Sequence, residues 1–276
     1  MQVILSDDPA WIEKGLDDRA HYHSAQPLAL EPGELIHWDR KRLYPSDWLR
    51  FQTYGSTFQV LETLDLNCQV GRTEGRMLTT ADLKQCYLPM TLIDGVFQAY
   101  GVTLCTLLQT WAGPPLFIGE IRWRPGSHRV RETHYQIRTN LDDPTHFPIL
   151  HMVDSQGTCF LRMQRADQGG TGLKQLTERM ATLQATTATE ASETQTSGLG
   201  NFPYVGTVVE VQQEQWLKAE RLLDPKQEAM LVDHSFHGIA IVPAVYFMEM
   251  AVEASAQLLG ENPPPAALET FASIRC

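Results

Sequence analysis

The chain has 276 residues, of which 43% are hydrophobic and 20% charged, a balance typical of folded proteins and not of disordered ones. Its 33 acidic and 22 basic residues give a formal charge of -11, and neither Lys nor Arg forms a cluster. This composition argues against a surface for nucleic acid or anionic membranes. The N-terminus lacks the pattern of a signal peptide, and the apolar stretch 239–252 is too short to span a membrane. We therefore expect a cytoplasmic protein without a membrane span.

The five cysteines are scattered along the chain and form no CxxC pair; they are Cys68, Cys86, Cys105, Cys159 and Cys276. An odd number of dispersed cysteines in a chain without an export signal indicates reduced thiols. Free cysteines usually behave as small buried hydrophobic residues. We expect neither disulfides nor a redox site.

Residues 1–45 contain two strand-like stretches, MQVIL and HYHSAQPLAL. In the second, His21 and His23 would point to one face of a strand, as two metal ligands could. No third ligand is apparent beside them. No metal site is predicted.

Residues 46–166 are predicted to form the larger folded unit. The stretch LPMTLIDGVFQAYGVTLCTLLQTW predicts a long helix that is apolar on most sides and must therefore be wrapped by other elements. The segments LFIGEIRW, HYQIRTNL, FPILHMV and TCFLRMQ that follow are typical of strands, with a turn at DSQG before the last. We expect a buried helix followed by an antiparallel meander.

Residues 167–200 are predicted to be a flexible linker, because Gly, Ala, Thr, Ser and Glu dominate its second half. Its first half places four apolar side chains on one stripe of a short packing helix, Leu173, Leu176, Met180 and Leu183. Residues 201–276 then repeat the earlier pattern on a smaller scale. Two strands, TVVEVQQ and KAERLLD, precede a helix that begins after Pro243 and ends at Gly260.

Two motifs carry the functional signal. LVDHSFHGIAIVP contains His234, Gly238 and Pro243 in the spacing HxxxGxxxxP, and LIDGVFQAYG contains Asp94 and Gln98 as DxxxQ, preceded by YGSTFQ at 54–59. Together they resemble the two active-site motifs of polyketide and polyunsaturated fatty-acid synthase dehydratases. The flanking sequence looks most similar to the dehydratases of iterative synthases.

The resemblance implies an α+β double hotdog, in which two long helices, each wrapped by an antiparallel sheet, lie side by side. It also implies dehydration of 3-hydroxyacyl thioesters carried on the phosphopantetheine of an acyl carrier protein, with no separate cofactor. Neighbouring synthase domains and a second copy of the chain are the further partners that it suggests. Ala244 departs from the glycine that often follows the proline, which would narrow the acyl channel.

The order of the motifs is reversed relative to the family, in which the histidine hotdog comes first. Residues 201–276 are also too few for a complete hotdog of the family. Two explanations fit: the end of one dehydratase followed by the start of the next, or a permuted single domain in which the strands of 1–45 complete the C-terminal hotdog. The sequence leaves open whether Asp94 and His234 share one active site.

The implied chemistry needs a base for the α-proton and an acid for the leaving hydroxyl. Histidine suits the base role because imidazole titrates near neutral pH, and a buried Asp94 suits the acid role because burial favours its neutral form. Gln98, one helical turn later, would orient that carboxyl. A backbone N–H at Gly238 or near Pro243 would polarise the thioester carbonyl. Tyr54 would line the pocket as a hydrogen-bond donor or by packing alone.

Other readings compete with catalysis. A hotdog unit can serve as a non-catalytic scaffold or dimerisation module, and hotdog thioesterases use a carboxylate and water, so fold alone does not decide. Near the motifs, Asp233 and His237 are expected to be structural. Glu249 and Glu253, four residues apart, are expected on a solvated helix face or at the edge of an interface.

Overall fold

The structure is a computed structural model of the 276-residue chain. It describes residues 4–5, 35–45, 52–80, 86–109, 115–142, 146–168, 203–212, 216–224, 228–236, 238–260 and 267–271. The predicted linker, its short helix, and the three residues His21, His23 and His237 lie outside these ranges, apart from positions 167 and 168.

A long apolar helix, α2 (Met90–Leu108), fills the centre of the larger unit, as the sequence predicts. Nearly every side chain of its first three turns is buried, and each fully buried aliphatic side chain contributes about 1.5–3 kcal/mol. The helix ends where Gln109 takes a left-handed conformation with φ 52°. By length and composition α2 could cross a membrane, but 78% of its most apolar window is buried inside the fold. We therefore interpret α2 as a core helix.

Antiparallel strands wrap this helix. The elements before it are β1 (Ile4–Leu5), β2 (Leu35–Asp39), α1 (Arg40–Leu43), β3 (Gln52–Tyr54), β4 (Leu61–Asn67) and β5 (Arg72–Leu78). Those after it are β6 (Pro115–Trp123), a 3₁₀ turn (Ser127–Arg129), β7 (Glu132–Arg138), β8 (His146–Val153) and β9 (Cys159–Gln168). The four strands predicted after the helix are thus present, and the DSQG turn joins β8 to β9, with the Asp154 N–H bonded to the Thr158 carbonyl at 3.0 Å.

The C-terminal part repeats the plan with fewer strands. It consists of β10 (Thr207–Gln212), β11 (Trp216–Glu220), α3 (Ala229–Val232), β12 (His234–Phe236), β13 (Ile239–Ala240), α4 (Ala244–Leu259) and β14 (Ala267–Phe271). Helix α4 begins after Pro243 and ends at Gly260, whose φ of 69° suits a glycine cap. The second predicted strand begins two residues earlier than expected and stops at Glu220.

Strand pairing and helix packing join the two parts. Strand β14 pairs antiparallel with β6, which extends the main sheet to nine strands in the order β1-β14-β6-β9-β8-β7-β5-β4-β2. Strand β12 pairs with β3, and β13 completes that small sheet. The helices α2 and α4 pack against each other. The sheets and helices of both parts therefore form one continuous structure.

The expected fold class, helices wrapped by antiparallel sheet in hotdog folds side by side, is confirmed. The proposed division into residues 1–45, 46–166, 167–200 and 201–276 stays a prediction. Within 1–45, β1 lies beside β14 of the C-terminal part, whereas β2 lies beside β4 of the larger unit. The described strands of 1–45 thus contact both parts of the fold.

Candidate active site

His234 is the first residue of β12, directly opposite Tyr54 of β3, and its side chain is buried. The ring nitrogen Nδ1 lies 2.9 Å from the Ile241 carbonyl, and the Ile241 N–H donates to the His234 carbonyl at 3.0 Å. A carbonyl oxygen can only accept, so the ring proton of the neutral imidazole sits on Nδ1. Nε2 is then the basic nitrogen.

Asp94 lies in the second turn of α2 and is only 5% exposed. Its Oδ1 is 3.9 Å from Nε2 of His234. The structure therefore brings together the two residues that the motifs identify, although one comes from the central helix of the larger unit and the other from the C-terminal part. An acid and a base face each other across a gap too long for a direct hydrogen bond.

Burial is the main influence on the Asp94 carboxyl and raises its pKa, because a charged carboxylate loses its hydration there. The neighbouring His234 and a hydrogen bond from Gln98 lower the pKa and offset part of that effect. Asp94 is thus more readily protonated, and so neutral, than an exposed aspartate would be, which is the state that an acid catalyst requires.

Gln98 lies one turn after Asp94 and is 3% exposed. Its Nε2 donates to Asp94 Oδ2 at 2.8 Å and to the Phe58 carbonyl at 2.9 Å. Its Oε1 accepts from the hydroxyl of Tyr44 at 3.2 Å. The DxxxQ spacing therefore produces the predicted contact. Tyr44 lies outside both motifs, and no local pattern in the sequence signals its part in this network.

Two aromatic rings contact the imidazole edge-on. The ring centroid of Tyr54 lies 5.6 Å from that of His234, and the centroid of Phe58 lies 5.3 Å from it. Burial raises the pKa of Tyr54 well above its usual value, so this phenol stays neutral. The YGSTFQ segment thus supplies the apolar wall beside the imidazole, and a substrate-binding role of Tyr54 stays a prediction.

Gly238 and Pro243 flank the histidine strand on its C-terminal side. Gly238 has a φ of 78°, a conformation that favours glycine, and a Cβ at this position would meet no atom within 4 Å. The positive φ angle, and not crowding around the residue, therefore explains why a glycine suits this position. Pro243 is the residue immediately before α4 and directs the chain into that helix. A carbonyl-binding role for the N–H groups near either residue stays a prediction.

Asp233 holds the YGSTFQ segment against the histidine strand. Its Oδ2 accepts the Thr57 N–H at 2.9 Å, and its carbonyl accepts the Gly55 N–H at 2.8 Å. Its structural role is therefore visible. The carboxylate aligns the segment that carries Tyr54 and Phe58 with the strand that carries His234.

The expectation of a solvated helix face for Glu249 and Glu253 is wrong, whereas the alternative of an interface edge stays a prediction. Both side chains are fully buried. Glu249 accepts the N–H groups of Tyr87, at 2.6 Å, and Leu88, at 2.9 Å, just before α2 begins. The two glutamates do lie one turn apart on a helix, as their spacing predicts. Their carboxyls, however, bind backbone N–H groups of other segments, and no pattern within the helix sequence indicates those partners.

Glu253 binds a second segment in the same way: its Oε2 accepts the N–H groups of Tyr204, at 2.6 Å, and Val205, at 3.0 Å. Burial raises the pKa of Glu249 to about 7 and that of Glu253 to about 8. Both carboxyls thus position backbone segments around α4. Glu249 in particular ties the start of the aspartate helix to the helix that follows His234.

Within the residues that the structure describes, no three His, Cys, Asp or Glu side chains group closely enough to hold a metal ion. The candidate site consists of the His234 and Asp94 pair, with Gln98 behind the carboxyl and two aromatic rings beside the imidazole.

Residues 203–273 match the protein-family model described as polyketide synthase dehydratase domain. The family that the motifs predict is thereby confirmed for this part of the chain, which includes His234, Gly238 and Pro243. No curated protein matches the chain.

The solved structures that this chain matches include dehydratase domains of polyketide synthases. One is the dehydratase domain from the CurK module of the curacin synthase, with 17% identity and a TM-score of 0.43 over 58% of this chain and 54% of that one. Another is the dehydratase domain of RzxB from Pseudomonas fluorescens, with 16% identity and a TM-score of 0.39 over 51% of this chain and 52% of that one. The chain spans about half the length of the structures that it matches.

Proposed function

We propose that this chain, whose residues 203–273 are similar to polyketide synthase dehydratase domains, removes water from a 3-hydroxyacyl thioester. The observation that carries the proposal is the separation of 3.9 Å between Nε2 of His234 and Oδ1 of Asp94. The carbon that loses its proton is bonded directly to the carbon that loses hydroxide. A base and an acid that act on one substrate must therefore reach the same small region.

In the first half of the reaction, Nε2 of His234 takes the α-proton of the thioester. The hydrogen bond from Nδ1 to the Ile241 carbonyl holds the ring in the tautomer that leaves Nε2 free to do so. The electron pair of the broken C–H bond forms the new double bond. The charge that develops on the thioester carbonyl needs a donor, for which backbone N–H groups near Gly238 and Pro243 are the candidates.

In the second half, the C–O bond breaks and Asp94 gives its proton to the leaving hydroxyl, which departs as water. The elimination leaves a protonated His234 and an ionised Asp94. Return of the proton from the imidazolium to the carboxylate restores both groups, and their proximity supports that transfer. The cycle moves protons only, so we propose no cofactor besides the phosphopantetheine that carries the substrate.

The substrate class follows from the family resemblance. We propose that an acyl carrier protein delivers the 3-hydroxyacyl chain within an iterative polyketide or polyunsaturated fatty-acid synthase in the cytoplasm. Neighbouring synthase domains and a second copy of the chain are the further partners proposed. The apolar rings of Tyr54 and Phe58 beside His234 suit an uncharged acyl chain at this position.

Intact-mass analysis of a 3-hydroxyacyl carrier protein incubated with the full chain tests the proposal. We expect the loss of one water from the acyl group without added metal or nicotinamide. His234→Ala and Asp94→Asn should each slow this loss at least about a hundredfold, the effect of removing a positioned acid or base. His134→Ala and Asp142→Asn make the same changes at exposed positions and should leave the rate unchanged.

Three outcomes would contradict the proposal. An unchanged acyl mass would indicate a scaffolding unit, release of a free hydroxy acid would indicate a thioesterase, and full activity of either site variant would show that the pair is not catalytic.

A further inference from the structure

Tyr44 lies immediately after the short helix α1, more than one secondary-structure element away from either active-site motif in the sequence. Its phenol oxygen accepts the Leu61 N–H at 2.9 Å and approaches two acceptors, Gln98 Oε1 at 3.2 Å and the Phe58 carbonyl at 3.4 Å. The ring packs edge-on against Tyr54, with 6.3 Å between the centroids. The Leu61 N–H thus holds the hydroxyl in place in addition to Gln98.

We propose that Tyr44 is a positioning residue of the active site: its hydroxyl fixes the side-chain amide of Gln98, and this amide leaves the acidic proton of Asp94 on Oδ1, the oxygen that faces His234. The proposal rests on the proposed function for its meaning in catalysis. The orientation of the amide can nevertheless be measured without turnover.

The hydrogen-bond capacity of Gln98 explains the orientation. The two N–H bonds of Nε2 are used by Asp94 Oδ2 and the Phe58 carbonyl, and Oε1 receives the phenol. If the amide turned over, Oε1 would face a carboxyl oxygen and a carbonyl oxygen, neither of which can donate while Asp94 is ionised. Tyr44 opposes that rotation. Its oxygen accepts the Leu61 N–H, and its own hydrogen is donated to Oε1, a bond that would be lost if the amide turned over.

The consequence for Asp94 follows from which oxygen is occupied. Oδ2 accepts a hydrogen bond from Gln98, so a proton on Oδ2 would compete with that bond. The proton is therefore favoured on Oδ1, at 3.9 Å from Nε2 of His234. An acid that carries its proton on the far oxygen would have to rotate before it could protonate the leaving group. Tyr44 acts through Gln98 to keep that proton on the reactive side.

The test compares two substitutions that each remove one buried phenol hydroxyl. Tyr44→Phe keeps the ring against Tyr54 and loses the bond to Gln98. Tyr135→Phe is the matched control, because the Tyr135 side chain is also buried and its hydroxyl donates to a backbone carbonyl, that of Thr63 at 3.0 Å. Turnover of a 3-hydroxyacyl carrier protein and the ¹³C carboxyl titration of Asp94 are measured in both variants.

We expect Tyr44→Phe to lower kcat by roughly tenfold or more with KM nearly unchanged. This loss is a part of the rate enhancement that a correctly positioned acid provides. The ¹³C titration should show a higher pKa for Asp94, since a loosened Gln98 stabilises the carboxylate less. Tyr135→Phe should leave kcat and the titration of Asp94 as in the wild type. If Tyr44→Phe does not fold, side-chain ¹⁵N relaxation of Gln98 is measured in the wild type, where an amide as rigid as the backbone is expected and a mobile amide would overturn the positioning role.

An Asp94 titration and a kcat that are both unchanged in Tyr44→Phe would overturn the positioning role while leaving the proposed function intact. If the wild type shows no dehydration, the proposed function fails, and the titration alone decides whether Tyr44 controls Gln98. Equal losses of kcat in Tyr44→Phe and Tyr135→Phe would also overturn the proposal, since they would indicate a general effect on folding.

Discussion

Asp233 lies directly against Gly55, so that its carboxylate occupies the space which a side chain at position 55 would need. The same residue accepts the Gly55 and Thr57 N–H groups. A methyl group at position 55 would push Asp233 away and, with it, the strand that begins at His234. The contact therefore links a glycine of the YGSTFQ segment to the alignment of the proposed base.

Gly55→Ala should lower the free energy of unfolding by about 1–3 kcal/mol, the usual cost of overpacking, and should also reduce dehydration. Gly101→Ala is the control, because nothing lies within 4 Å of a Cβ at that helical position. It should be neutral or stabilising by up to about 1 kcal/mol. Urea unfolding of both variants measures the difference. If Gly55→Ala is as stable as the wild type, Asp233 can move away from the added methyl group without loss of stability.

The neutral ring of His234 should carry its proton on Nδ1, because that nitrogen lies 2.9 Å from the Ile241 carbonyl, which can only accept a hydrogen bond. Nitrogen-15 NMR of the protein labelled at histidine distinguishes the two tautomers, and His234→Ala identifies the signal. A proton found on Nε2 instead would be inconsistent with the base role in the proposed mechanism.

Gln98→Leu should shift the alkaline limb of the pH profile of kcat/KM to higher pH. Asp94 must be protonated to act as the acid, so activity falls as the pH rises through its pKa. The hydrogen bond from Gln98 lowers that pKa, and its loss raises it. The maximum rate should fall at the same time because the carboxyl is less well oriented. Gln136→Leu, at a buried glutamine of β7, is the control, and a limb that stays in place or moves to lower pH would contradict the assignment.

Glu253 should make stability fall as the pH rises. Its pKa is raised from the usual 4.5 to about 8, chiefly by burial and further by Glu249, so the folded chain holds a proton that the unfolded chain releases. This contribution is complete below about pH 4.5, declines between the two values and is lost above about pH 8. The slope is at most about 1.4 kcal/mol per pH unit for one proton.

Glu253→Gln should remove that slope. Both N–H donors bind Oε2, which the glutamine oxygen can replace, while Oε1 has no partner among the described residues. Denaturant midpoints of the wild type and the variant should therefore diverge as the pH rises from 5 to 8. Parallel curves would mean that Glu253 is ionised in the folded chain across this range.

Glu249→Gln should be more harmful than Glu253→Gln. Each oxygen of Glu249 accepts a different N–H, those of Tyr87 and Leu88, so an amide can satisfy only one and turns its own donors toward the other. A buried donor left without a partner costs about 1–3 kcal/mol. Thermal unfolding of the two variants at pH 6 provides the comparison, and equal losses would show that the N–H groups of 87–88 find other acceptors.

The local pattern of the sequence was sufficient for most secondary structure. The continuous apolar run around Asp94 and the alternation after it predict α2 and the four strands of the meander, because helix and strand formation respond to periodicity within a short window. Pro243 and Gly260 likewise mark the ends of α4, since their backbone preferences act locally. The prediction that His234 and Asp94 act together rests on the resemblance of their two motifs to those of the dehydratases.

The tertiary structure decided whether those motifs meet. Strand β12 pairs with β3 and α4 packs on α2, and both contacts join residues far apart in the chain. The same long-range packing buries Glu249 and Glu253 against backbone donors of other segments and places Tyr44 behind Gln98. A side chain's solvation and its hydrogen-bond partners depend on which distant groups surround it. For that reason the sequence alone predicted the acid and the base, while the fold determined the distance between them and the groups that hold them there.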